Sequence, residues 1–336
     1  MKKLITLFLA MLMFTACAAP ATQTSPATQA TEPAPTQPAE EAKVLKVLTL
    51  GHSLAVDAGH MLALVASAEG YGQMKIGTLF YSGCPLSSHV KFMTQNLPEY
   101  KLYVSSTADP YTPPTVMAEV TMKDALRFDY WDIVIMQGGV FEIGRNSAYT
   151  DGNIQKIQQF AKENALNPTL YFGWNMAWAP PLDNTLRDMY PYEENPYYTT
   201  YPEFNNDRTT LYNAITKCVE TNILTEDSFQ FVIPSGTAIE NALSSYMEEK
   251  DIHRDYVHAS DFSRVMVSYV WFCRLTGVEH LEQIKLDTVP QALFLSREKG
   301  EDWVLTEAEK ALMLEAVNNA LSNPLEMTQS VYTERP

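Results

Sequence analysis

The residues able to do chemistry in this chain gather in two stretches far apart in sequence. Near the start, Gly51-His52-Ser53 interrupts an apolar run in "LTLGHSLAVDAGH" (48–60). Turn chemistry alone favours Gly, Asn or Asp at such a junction. A serine there either caps the helix that follows or attacks a substrate. The second stretch is "HRDYVHASDFS" (253–263), which holds Asp255 and His258. A serine nucleophile needs a base to take its proton and a third group to orient that base. A short Asp-to-His spacing on a loop sets a carboxylate beside one ring nitrogen and leaves the other facing outward. Ser53, His258 and Asp255 are therefore the candidate nucleophile, base and orienting group. They meet only if the helix after His258 packs beside the first strand. Asp261 competes with Asp255 but reads better as the cap of that helix.

Other reactive residue types have plainer readings. His52, Asp57 and His60 match no trusted metal-ligand spacing, and neither a metal nor a cofactor is expected. His52 reads as a pocket-lining residue. Cys84 has no base beside it and reads as a small packed side chain. Ser235 in "PSGT" lacks the G-x-S-x-G elbow and reads as a helix start. Trp174, Asn175, Trp178, Tyr190, Tyr192, Tyr197 and Tyr198 sit on or beside a long polar loop. Aromatic faces with polar neighbours suit sugar rings; equally, they can pack such a loop onto the body.

Short apolar runs alternate with longer amphipathic ones, and these elements must position the reactive residues. Residues 44–50, 74–80, 131–137, 169–174 and 229–234 read as strands. Residues 57–69, 151–166, 207–223, 237–249, 261–276 and 305–322 read as helices, the last capped by Thr306. Strand–helix–strand repetition implies right-handed crossovers and a parallel sheet covered on both faces. Residues 98–122 carry two alternating runs around "TADPYTPP" and read as a β-hairpin insertion. Residues 178–206 have no periodicity, and a loop of that length is uncommon unless it works. In open parallel sheets the ligand crevice lies beyond the carboxyl ends of the strands. Gly51-His52-Ser53, Gly83, Gln137, Asn175 and "PSGTAIEN" all fall there.

The opening "MKKLITLFLAMLMFTAC" (1–17) has a charged start, a short apolar run and small residues before Cys17. It resembles a bacterial lipobox, whose cysteine becomes the lipid-bearing first residue; the alternative is an ordinary signal peptide cleaved near Ala18-Ala19. Residues 18–43 are rich in Pro, Thr, Gln and Ala and bury too little apolar surface to fold, so they read as a tether. Residues 44–330 suit one large domain. The expected location is outside the cytoplasm, with the lipid on Cys17 as the only anchor. A net charge of −16 argues against nucleic acid as a partner. Cys84, Cys218 and Cys273 form neither a disulfide framework nor a zinc motif.

In order and context, Ser53, Gly83 and the Asp255/His258 pair resemble the SGNH/GDSL hydrolase superfamily. The resemblance is closest to a branch of bacterial secreted proteins catalogued as a domain of unknown function. That branch shares the patterns "YSGCPLSSH", "WDIVIMQGG", "VIPSGTAIENA" and "RDYVHASDFSRVMVSYVWF", over nearly all of 44–278. The resemblance implies a three-layer α/β/α, flavodoxin-like fold with a parallel five-stranded sheet in the order 2-1-3-4-5. It also implies a Ser53–His258–Asp255 esterase whose oxyanion hole uses the Ser53 and Gly83 N–H groups. The chain departs from the superfamily in two places. His52 stands where many members have Asp or Asn, and Gln137 stands where an asparagine normally completes the oxyanion hole, with Asn175 in reserve. The implied substrate is an O-acyl, most simply O-acetyl, ester on a carbohydrate. A non-catalytic glycan-binding lipoprotein and a lipase or thioesterase are the alternatives; the last would want an apolar channel where this chain has Tyr, Asn and Pro.

Overall fold

The computed structural model describes residues 44–181, 202–205 and 207–336. The leader with Cys17, the tether over 18–43, and Tyr190, Tyr192, Tyr197 and Tyr198 lie outside the described residues.

Seven strands form one sheet: β1 (Leu45–Gly51), β2 (Met74–Phe80), β3 (Tyr100–Ser106), β4 (Thr115–Val120), β5 (Ile133–Met136), β6 (Tyr171–Asn175) and β7 (Phe229–Ile233). Their order is β4-β3-β2-β1-β5-β6-β7. The pairs β2-β1, β1-β5, β5-β6 and β6-β7 are all parallel. Those five strands reproduce the expected 2-1-3-4-5 order. The whole sheet is larger than expected, because the hairpin β3–β4 adds antiparallel to β2. It thereby covers a row of N–H and C=O groups that β2 would otherwise leave as a bare edge.

The longer helices are α1 (Ser53–Ala68), α2 (Leu86–Gln95), α3 (Met122–Phe128), α4 (Asn153–Asn164), α5 (Arg208–Asn222), α6 (Ser235–Leu243), α7 (Asp261–Thr276) and α8 (Glu307–Ser322). Helices α1, α6, α7 and α8 pack on one another as one layer, and α2, α3 and α4 as another. The start of α1 lies at Ser53, ahead of the expected 57. Helices α2 and α3 were not expected, although α3 opens on a capping box in which Thr121 and Asp124 bond each other's backbone N–H. Thr306 caps α8 as expected.

Register sets the working edge. Gly51 pairs with Phe80, Leu50 with Met136, Met136 with Trp174, and Asn175 with Ile233. The five parallel strands thus end level, and the turns that follow them share one side of the sheet. Helix α7 lies along α1, where the Ser268 hydroxyl donates to the Ala58 carbonyl at 2.6 Å. This packing brings the residues before α7 to the start of α1.

Candidate active site

The turn from β1 into α1 is held by its histidine. His52 has extended backbone (φ −137°) and occupies the N-cap position, its ring accepting from the Leu54 N–H at 3.4 Å. Its Nε2 lies 2.9 Å from the Gly138 carbonyl, which ties the turn to the loop after β5. Burial lowers the His52 pKa to about 4 against the pull of the Gly138 bond, and the charge of His258 pushes the same way. The ring is therefore neutral at pH 7, with its Nε2–H donating to the carbonyl. His52 is fully buried and fixes the turn's shape from beneath. Only glycine fits just before it, since a Cβ at Gly51 would stand 2.9 Å from both Ala55 Cβ and Gln137 Nε2. With His52 as the cap, the Ser53 hydroxyl is not needed to start the helix. Ser53 keeps part of its surface open.

The loop carrying the candidate base is built with comparable economy. A bridge between His253 and Ala259 closes it, and the Arg254 N–H donates to the His258 carbonyl at 3.0 Å. Inside it, Asp255 accepts from the N–H groups of Val257 (2.9 Å) and His258 (2.8 Å) and from His258 Nδ1 (2.7 Å). An ionised carboxylate only accepts, so the His258 Nδ1 carries a proton. Burial alone would raise the Asp255 pKa, but the bond and charge of His258, then the two backbone donors, bring it to about 2. Trp178 is buried beneath this loop, its indole donating to the Val257 carbonyl at 2.8 Å.

Asp57 seats the loop on α1. Its Oδ2 accepts from the Ala259 N–H at 3.0 Å and its Oδ1 from Arg254 at 2.8 Å. Arg264 stands 3.8 Å from the same carboxylate. Asp57 follows Ser53 by one helical turn, so the serine and the His258 loop are both referenced to one rigid element. Asp57 was read from the sequence only as a doubtful metal ligand. No local pattern reveals its role, because its partner Ala259 lies at a separation of 202. Asp261 is not the cap of α7; Ser260 is. Asp261 instead accepts from the N–H groups of Leu295 (3.0 Å), Ser296 (2.9 Å) and Arg297 (2.9 Å) and pairs with Arg264 at 2.6 Å.

The turn after β2 is clamped to the turn after β5. Gly83 takes φ +60°, where glycine has no penalty, and keeps part of its surface open. Glu142 accepts from the Leu86 N–H (3.0 Å) and the Gly139 N–H (2.7 Å), one from each segment. Burial holds its carboxyl above the ordinary value despite those donors. A Cβ at Gly139 would stand 2.6 Å from Pro85 Cα, so the two loops can touch only through glycine. Gln137, Trp174 and Asn175 are all buried at this edge. Trp174 packs against Tyr149 at 5.6 Å and Phe229 at 5.5 Å between ring centres, and Asn175 donates to Gln137 at 2.9 Å. Cys84 is buried, and burial pushes its thiol pKa up, away from thiolate chemistry. Ser235 opens α6 as expected. Among these edge residues, Ser53, Gly83 and His258 retain exposure, while His52, Asp57 and Asp255 are buried.

A solved structure shares this architecture. The chain is similar to a DUF4886 protein from Bacteroides uniformis ATCC 8492, solved by crystallography at 1.50 Å. The match covers 87% of this chain and 100% of that one, at 23% identity and a TM-score of 0.68. An SGNH hydrolase candidate from Slackia heliotrinireducens matches 68% of this chain and 98% of its own, at 15% identity and a TM-score of 0.40. A salicylyl-acyltransferase, SsfX3, from a tetracycline biosynthetic pathway matches 71% of this chain and 55% of its own, at 12% identity and a TM-score of 0.37. No curated protein matches. The family model described as a domain of unknown function, DUF4886, spans residues 46–292, and the chain belongs to that family.

Proposed function

We propose that this protein is a serine esterase that cleaves O-acyl esters, with Ser53 as nucleophile, His258 as base and Asp255 as the group that orients it. The observation that carries the reading is the seat of the His258 loop on Asp57, one turn below Ser53 on α1. Ser53 Oγ attacks the acyl carbonyl while its proton passes to His258 Nε2. The same proton leaves with the departing alcohol. Water, deprotonated by His258, then releases the acid and restores the serine. Asp255 keeps the imidazole in the Nδ1–H form and stabilises the imidazolium that forms in each half-reaction. The backbone N–H groups of Ser53 and Gly83 receive the developing oxyanion; Gln137, the third donor expected from the sequence, is buried against Gly51.

For the substrate we infer an acetylated carbohydrate met outside the cytoplasm, the domain being held to a membrane through lipid on Cys17 and the segment 18–43. The lipobox-like opening and the tyrosines at 190, 192, 197 and 198 in the sequence support this choice; Trp174 and Trp178 are buried and pack the interior instead. The experiment is hydrolysis of a chromogenic acetate by the wild type and by Ser53→Ala. The expected result is turnover in the wild type and a loss of about 10⁴-fold or more in the variant. Undiminished turnover in Ser53→Ala removes Ser53 from the mechanism. No hydrolysis of any acyl ester by the wild type, with measurable glycan binding, makes the protein a binding module.

A further inference from the structure

Helix α1 is buried over most of its length. Between Ser53 and Ala66, only Ser53, Val56 and His60 keep part of their surface open. Steps of three and four residues set all three on one stripe of the helix. The stripe starts at the candidate nucleophile and runs about 10 Å along the helix axis to His60.

The sheet flanks this stripe with aromatic side chains. A Cβ at Gly59 would stand 2.9 Å from Thr78 Oγ1, so Thr78 faces α1. Side chains alternate along a strand, so Phe80 faces the same way. Its backbone pairs with Gly51, two residues before Ser53. Across the antiparallel hairpin, Lys101 stands opposite Phe80, Tyr103 opposite Thr78, and Val116 opposite Tyr103. Directly opposed residues share a face, so these three lie on the α1 side as well. The ring contacts agree: Tyr103 lies 5.2 Å from the His60 ring and 5.7 Å from that of Phe80, edge-on. Phe80 and Tyr103 are partly exposed, and Lys101 and Val116 are exposed.

The result is an open strip that leads away from Ser53, apolar along its floor and polar at its tips. An acyl chain gains most by leaving water on every side, which an open strip does not provide. A sugar ring suits it better. Its C–H face lies on aromatic and aliphatic surface, and its rim hydroxyls meet the Tyr103 hydroxyl, the Lys101 ammonium and the His60 imidazole. We propose that this strip is a subsite for sugar units beyond the one that carries the acyl group, with Tyr103 as the stacking residue. The inference rests on the esterase reading above. It adds that the substrate is an oligosaccharide or polymer, because one acetylated ring at Ser53 does not span the roughly 10 Å to His60 and Tyr103. The hairpin that supplies Tyr103 and Val116 is an addition to the five parallel strands, a place where a fold acquires its own specificity.

The test measures kcat/KM for acetylated xylo-, manno- and chito-oligosaccharides, for the matching acetylated monosaccharides and for a chromogenic acetate. The wild type is expected to prefer the oligosaccharides of at least one series over their monosaccharide. Tyr103→Leu keeps apolar volume but removes the flat ring. In that variant the ratio of kcat/KM for the preferred oligosaccharide to kcat/KM for the chromogenic acetate is expected to fall about tenfold, the scale of one aromatic contact. The fall comes through KM, and Tyr103→Phe, which restores the ring, keeps most of the ratio. Val116→Ala, at an exposed position, is expected to lower the same ratio about fourfold, the worth of about one buried methylene. Urea unfolding of each variant checks the fold, and Val116→Ala carries the test if Tyr103→Leu does not fold. Ratios equal to the wild type in the folded variants overturn the subsite while the esterase stands. A wild type that cleaves no oligosaccharide of the set faster than its monosaccharide overturns it too. A wild type that hydrolyses no acetate of any kind overturns the esterase reading, and the subsite with it.

Discussion

Each candidate side chain in this protein owes its role to one or two atoms it touches. His52 illustrates the point: its position beside Ser53 marked it as a pocket residue, yet its ring caps α1 on one side and binds Gly138 on the other. Asp255 is the clearest electrostatic case. Its pKa lies near 2, against an ordinary value of 3.8, because the donors from His258 and Val257 outweigh the cost of burial. A carboxylate with a depressed folded pKa stabilises the fold fully above the unfolded value and loses that contribution as pH falls through the folded one. Asp255→Asn is therefore expected to be less stable than the wild type at neutral pH. The gap narrows as pH drops below about 4 and closes near about 2. Urea unfolding of both proteins between neutral pH and pH 2 checks this; a gap independent of pH contradicts it. Ser53, Asp255 and His258 stood out as candidates from residue type and spacing, because a serine at a strand-to-helix turn and a short Asp-to-His spacing each leave a local mark, whereas Gly83 was singled out through its place after β2 and the family resemblance. Asp57 and Glu142 left none, since each acts only on backbone from a distant segment.

At the scale of elements, the sheet edge and the pairing of α1 with α7 do the positioning. Asp57 is the joint between them. It is buried, and it serves Ala259, Arg254 and, at 3.8 Å, Arg264. Removing Asp57 takes the carboxylate from Arg254 and the acceptor from the Ala259 N–H, at a cost of about 3–5 kcal/mol. Asp57→Ala is thus expected to lose about that much stability by urea unfolding, and to show faster amide exchange at Ala259. Stability and exchange equal to the wild type contradict the joint. The parallel strands were readable from their apolar runs and flanking turns. The early start of α1 was not, because a histidine cap is outside the usual Ser, Thr, Asp and Asn set. Nor was the final place of the hairpin, since its attachment to β2 depends on which sheet edge lies open.

For the molecule as a whole, the proposed chemistry requires the two ends of the domain to cooperate. Ser53 begins α1 and His258 precedes α7, and the chain returns across the sheet to lay α7 along α1. The 2-1-3-4-5 order of the parallel strands came from the family resemblance; the alternation of strands and helices by itself implied only a parallel sheet covered on both faces. The contacts that complete the site were not legible, being tertiary throughout. The most direct test of the central claim is to expose the wild type, Ser53→Ala and His258→Ala to a fluorophosphonate and map the labelled peptide by mass spectrometry. The account predicts one phosphonyl adduct on Ser53 in the wild type, none in Ser53→Ala, and slowed labelling in His258→Ala. An adduct on any other residue, or labelling of Ser53 at the same rate without His258, contradicts it.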